Sequence, residues 1–296
     1  MDEQKYYTEA GRIAAEVMDE GLKKIKKGLK LLDFANFIEE LIVEKGGRPA
    51  FPCNISVNSV AAHYSPDAWD ESIFKKGDLV KLDIGVHIEG YIADIAKSIV
   101  VGGGENSLIK AAEDALDNVI NVIKPGITTS QLGEIVENTI KDYGYSPIVN
   151  LTGHMLTRWN LHGGILIPNV KTPHGETIKE GQVLAIEPFA TDGFGRVVDE
   201  PNAIIFRYLQ DRPLRMKEAR DILSYVKENY NTLPFAERWI SHLLPRFKLT
   251  QALKQLIFTK AIYAYHILRE KERGLVSQAE HTVIVTKDGC TIITLP

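Results

Sequence analysis

Hydrophobic positions in the N-terminal segment recur at spacings of three and four. Ile13, Val17, Leu22, Ile25 and Leu29 share one face, which predicts a helix from about Thr8 to Lys27. A second helix is expected from Asp33, as N-cap, to Lys45, where Gly46-Gly47 ends it. From Asp78 the pattern changes to strand periodicity: Leu79 to Ile88, a Glu89-Gly90 turn and Tyr91 to Val101 form a β-hairpin pattern. Helix returns from Ser107 to Ile123, and the stretch Leu256 to Leu268 has the most apolar helical pattern of the chain. Late strands are expected at Leu275 to Val285 and Thr291 to Leu295.

The pattern also repeats. A shift of 98 places Ile25-Lys26-Lys27-Gly28 on Ile123-Lys124-Pro125-Gly126, and in the same register Glu39 falls on Glu137, Ile42 on Ile140 and Gly46 on Gly144. A shift of 104 lays Gly77 to Asp83 on Gly181 to Glu187, so a carboxylate ending one strand meets a carboxylate ending another. A shift of 99 lays His63 on His162. Two similar halves about a pseudo-twofold axis would bring such equivalent groups together near the axis. Between about Arg207 and Thr250 the repeat fails, and nine Lys or Arg stand against five Asp or Glu. This segment is expected to be an inserted helical subdomain with a solvated surface.

Composition narrows the class. With 44% hydrophobic and 25% charged residues in 296, the chain can bury a core without staples. A net charge of −4 argues against a general nucleic-acid binder, which needs a dominant basic face. Two cysteines cannot make a disulfide framework, no apolar run is long enough for a membrane span, and no signal-like segment opens the sequence. A cytoplasmic protein is expected. Gly102-Gly103-Gly104 lacks the Lys-Ser/Thr of a phosphate loop, and neither a zinc-protease HExxH nor a GxSxG elbow is present.

The hairpin carries the first candidate chemistry. With a two-residue turn, Asp83 lies opposite Ala96, and Asp94 shares that face. Lys81 and Lys97 lie nearby in sequence, and both are expected on the other face. Buried carboxylates that face each other repel unless a cation sits between them. Glu187 and Glu280 also stand among strand-like apolar residues, and His154 follows Gly153. Four carboxylates and one imidazole make a poor core and a good oxygen-rich site for two dications of the Mn, Fe, Co or Zn kind.

The residues Leu82-Asp83-Ile84-Gly85 to Asp94, Gly153-His154 with His162-Gly163, Glu187-Pro188 and Gln278-Ala279-Glu280-His281-Thr282 resemble methionine aminopeptidase of type 2. The helical insertion with Thr232-Leu233-Pro234-Phe235 and Arg238-Trp239 distinguishes that type, and the lack of a long charged N-terminal extension resembles its short archaeal form. The resemblance implies an α+β pita-bread fold: two pseudo-symmetric αβ halves around a central antiparallel sheet, spanning 1–206 and 263–296, with 207–262 inserted. It implies two divalent metal ions held by Asp83, Asp94, His154, Glu187 and Glu280, with Asp94 and Glu280 bridging. It further implies hydroxide attack on the carbonyl of an N-terminal methionine, best before a small uncharged residue. His63 and His162 match the substrate-contacting histidines, and Glu187 is expected to shuttle the proton. Phe51, Leu161, Ile205, Pro234 and Tyr265 are the candidate walls of the methionine pocket. A monomer is expected, with the N-terminal methionine of polypeptides as substrate and a transient ribosome contact. Ala279 stands where relatives often carry phenylalanine. A relative that has lost catalysis and a prolidase-type enzyme are the competing readings. The first would lack ligands, and the second would cut before proline.

Overall fold

The computed structural model describes residues 3–295. Its helices are α1 (Glu3–Lys24), α2 (Leu31–Glu44), α3 (Ser107–Ile120), α4 (Thr129–Asp142), α5 (Lys217–Tyr230) and α6 (Arg246–Phe258). Helix α2 starts earlier than its sequence suggests. Lys30 is the N-cap, because an earlier start lets Leu31 enter the core at 3% exposure. Asp33 instead occupies the first turn, where an acidic group complements the helix dipole. Helix α3 is capped by Asn106, whose side chain accepts from the Leu108 and Ile109 amides, and α4 by a Thr128/Gln131 capping box.

The repeat is visible in the backbone. Shifting α2 by 98 residues gives the bounds of α4. Gly28 and Gly126, which precede them, have φ of 87° and 96°, and each donates its amide to a following loop, at Phe74 and Ile178. Each half has its own apolar core. One lies under α1, α2 and the hairpin, around Phe34, Ile38, Leu82 and Ile84; the other lies under α3 and α4, around Leu116, Leu132, Val136 and Leu184.

The strands are antiparallel throughout and divide into four sheets among the described residues. Leu79–Ile88 and Tyr91–Val100 form the expected hairpin, with Asp83 opposite Ala96. Two-residue Glu89-Gly90 turns require left-handed backbone, and these residues have φ of 52° and 87°. A five-stranded sheet carries Thr152–Leu156, Val183–Ile186 and His281–Val285 side by side. An isolated bridge between Ala96 and Glu280 joins the hairpin to the second half.

Strands run further into the inserted region than expected. Val197–Tyr208 pairs with both Pro234–Ala236 and Ile262–Glu270, so sheet resumes at Ile262 rather than Leu275. The apolar stretch Leu256 to Leu268 is therefore helix only as far as Phe258. Its strand portion alternates Ile262, Ala264 and His266 with Tyr263, Tyr265 and Ile267, a period of two that the run's overall apolarity conceals. Helices α5 and α6 pack on one face of this sheet around Phe206, Phe235, Leu249 and Leu256, a third core. No helix among the described residues is long and apolar enough to cross a membrane.

Helix α1 approaches the C-terminal segment so closely that a Cβ on Gly11 would lie 2.1 Å from the Ile293 carbonyl oxygen. Gly11→Ala is expected to lower the unfolding free energy by about 1–3 kcal/mol through this overpacking. Urea denaturation followed by circular dichroism would reveal it as an earlier midpoint; an unshifted midpoint would contradict the close approach.

Candidate active site and metal centre

Ala96 lies at the middle of the site. On one side its strand pairs Ala96 with Asp83; on the other, Ala96 bridges Glu280. Asp94, two residues back, points to the same face by strand parity. The backbone thus sets Asp83, Asp94 and Glu280 around one position of the hairpin, Ala96. His154 comes from Thr152–Leu156, opposite Ala185, and Glu187 directly follows Val183–Ile186 in the neighbouring strand. One half supplies the aspartates and the other supplies His154 and Glu187.

These groups converge. Ligand atoms of Asp94, His154 and Glu280 lie within 4.8 Å of one another. His154 Nε2 is 3.4 Å from Glu187 Oε1 and 3.9 Å from Asp94 Oδ2. Gln278 Nε2 donates to Glu280 Oε2 at 3.1 Å and reaches Glu187 Oε2 at 3.5 Å. The cavity, about 260 Å³, is lined by all five of these ligand-type residues and by His63 and His162. Phe51, Leu161, Ile205, Pro234 and Tyr265 form its apolar side. Every site residue singled out in the sequence therefore reaches one cavity.

The electrostatics are unfavourable without a cation. Burial pushes Asp83 up to about 7. Asp94, Glu187 and Glu280 are held well above the ordinary carboxylate range, first by burial and then by their neighbours' negative charges. Burial also drives His154 well below the ordinary imidazole range, and His162 down to about 4. Buried Asp83 Oδ1, Asp94 Oδ1 and Glu280 Oε1 have no hydrogen-bond partner among the described residues. Unpartnered carboxylate oxygens in a dry site are costly, and a divalent cation is the group that satisfies several at once. The residues present fit a metal centre.

The two pocket histidines differ. His63 has φ of 63°, a left-handed conformation that a side chain adopts at some cost, and its Nδ1 donates to the His266 carbonyl at 3.1 Å. Burial keeps its ring neutral to lower pH than usual, so Nε2 is left as an acceptor. His162 lies tilted against the His154 ring, centroids 4.5 Å apart, and stacks on Tyr265 at 6.4 Å.

Some of the surroundings escaped the sequence reading. Asn54 sits directly opposite Asp83, on the strand side away from Ala96, and Gln278 spans two carboxylates. Both could have been found from register and from the Gln278-to-Thr282 string. Lys81 corrects an expectation: two residues from Asp83, it shares that aspartate's face, and only Lys97 lies opposite. Cys53 is buried and its thiol pushed well above its usual range, first by burial and then by the Glu39 charge, which removes it as a nucleophile. Ala279 packs into the second core at 4% exposure.

A fold of two αβ halves closing on a carboxylate-rich cavity, with a single imidazole among its five metal-ligand side chains, defines a metal-dependent hydrolase. The chain belongs to metallopeptidase family M24, whose profile matches residues 5–287. The methionine aminopeptidase of Thermococcus onnurineus is 52% identical over 295 residues, which cover 99% of this chain and 100% of the relative. A solved structure described as a thermophilic Arx1 superposes with a TM-score of 0.86 at 20% identity, covering 100% of this chain and 91% of the other. The methionine aminopeptidase from Thermotoga maritima superposes with a TM-score of 0.72 at 22% identity, covering 98% and 95%. At such identities the likeness speaks for the fold, which is the pita-bread fold.

Because these carboxylates hold protons to higher pH than ordinary ones, an incoming cation must displace them. Divalent-metal uptake is expected to release about one proton or more per ion near pH 6.5, and fewer near pH 8.5, with apparent affinity rising over that interval. Calorimetric titration in buffers of differing ionisation enthalpy measures this directly. Proton-neutral binding at pH 6.5 would contradict it.

Proposed function

We propose that this metallopeptidase removes the N-terminal methionine from newly made proteins and peptides in the cytoplasm, preferentially when the second residue is small and uncharged. The observation that carries this reading is the meeting, in one small cavity, of five metal-ligand side chains, two neutral histidines and an apolar wall. The resemblance to type 2 enzymes and the names of the relatives point the same way. Segment 207–262, with its own core, is read as the insertion typical of that type.

Two divalent cations bound by Asp83, Asp94, His154, Glu187 and Glu280 would supply an acidified water and polarise the scissile carbonyl. Hard oxygens with one nitrogen suit Mn, Fe, Co or Zn. Glu187, the carboxylate nearest His154, takes the proton of the attacking water and delivers it to the leaving amine. His63 presents only an acceptor in its neutral form, so it receives the amide N–H of the following residue. His162, whose ring has no such carbonyl tie among the described residues, is assigned the donation to the developing oxyanion. Phe51, Leu161, Ile205, Pro234 and Tyr265 surround the unbranched, polarizable methionine side chain with apolar surface.

Purified protein supplied with Mn, Co or Fe should release methionine from Met-Ala and Met-Gly peptides but not cleave an Xaa-Pro dipeptide, and a chelator should stop it. Preferential Xaa-Pro cleavage would instead favour the prolidase reading. Asp83→Ala and Glu280→Ala should lose metal and activity together. His162→Ala should keep its metal, measured by atomic absorption, while turnover falls by about 10²–10³. Metal loss in His162→Ala would overturn the division of roles.

A further inference from the structure

Lys81 is wholly buried, at 0% exposure, and no carboxylate among the described residues lies within ion-pair distance of its amine. It donates instead to two backbone carbonyls, that of Val276 at 2.7 Å and that of Asn58 at 3.1 Å. The Asn58 carbonyl also accepts the Val276 amide at 3.1 Å, so the three residues close a knot. An amine in a dry interior is costly, and an apolar side chain of similar volume would pack there more cheaply. Its position shows what the expense achieves. Two residues beyond Lys81 on one strand is Asp83; four residues beyond Val276 on the other segment is Glu280, with Gln278 between them touching Glu280 and Glu187.

We propose that Lys81 is a positioning residue of the metal centre: its amine fastens the segment that delivers Glu280 to the strand that delivers Asp83, and so sets the spacing of the carboxylates that share one of the two ions. The inference rests on the metal-centre reading above and extends it to a residue that touches neither metal nor substrate. His154 and Glu187 reach the cavity from a different sheet, one that holds neither acceptor of the Lys81 amine. The ion that depends on Asp83 is therefore the more sensitive to Lys81, and the ion at His154 and Glu187 feels it only through Glu280 and Gln278.

The test is calorimetric titration of the metal-free protein with Mn²⁺, with the thermal midpoint of each metal-free variant recorded alongside. In Lys81→Met, which keeps the length and removes the donors, one of the two binding events should weaken by about 10- to 100-fold, the range found for groups that orient ligands, and the other should weaken clearly less. In Lys81→Ala, propylammonium, which matches the deleted atoms, should restore the weakened event. Equal weakening of both events, no weakening, or failure of propylammonium to restore would overturn the role of Lys81. If the unsubstituted protein bound no Mn²⁺, the metal-centre reading would fall and this inference with it.

Discussion

Mutual repulsion among Asp83, Asp94, Glu187 and Glu280 is the constraint around which the molecule is organised. The groups are buried or nearly so, some of their oxygens have no partner among the described residues, and burial first, then neighbouring negative charge at Asp94, Glu187 and Glu280, raises their protonation ranges. A fold that forces such groups together needs rigid elements on every side, since any slack would be taken up by the carboxylates moving apart. The pita-bread arrangement provides them by closing two separately cored halves on a common seam.

At that seam, side chains replace a continuous backbone ladder. Ala96 and Glu280 form a single isolated bridge. Around it, the Ser98 hydroxyl both donates to the Gln278 carbonyl and accepts the Gln278 amide, at 2.7 Å and 2.9 Å. The Thr282 hydroxyl does the same for the carbonyl and amide of Asp94, both at 2.8 Å. Each reciprocal pair satisfies two buried backbone groups that would otherwise be orphaned. The side chains of Asp94 and Glu280 stay free to face the cavity.

The region around segment 207–262 contributes to the site from the other direction. Its sheet places Ile205 and Tyr265 toward the cavity and Phe206 toward α5 and α6, so one strand serves pocket and subdomain core on alternate faces. Glu39 of α2 couples this unit to the first half: it is paired with Arg238, accepts from Trp239 Nε1 at 2.7 Å, and accepts the Cys53 amide at 2.9 Å. The segment from Phe51 to Asn54, beside both the pocket wall and Asp83, is thereby held from behind.

The sequence alone determined the hairpin register, the pairing of α2 with α4, and the identities of the residues that meet in the cavity. The register and the helix correspondence follow from short-range rules, the period of two in strands and the shared spacing of glycines and apolar positions, which act without knowledge of the rest of the chain; the full set of cavity residues came from the resemblance of their motifs to a known family. It missed the strand at Ile262–Glu270, because a long apolar run permits helix or strand and only pairing with Val197–Tyr208 decides. It also could not set the tautomer of His63, which is fixed by the carbonyl of His266, distant in sequence. Tertiary structure decided those points, and the burial that shifts every acidic group in the site. Protonation and strand choice depend on what surrounds a residue in space, and that is created only when the two halves close.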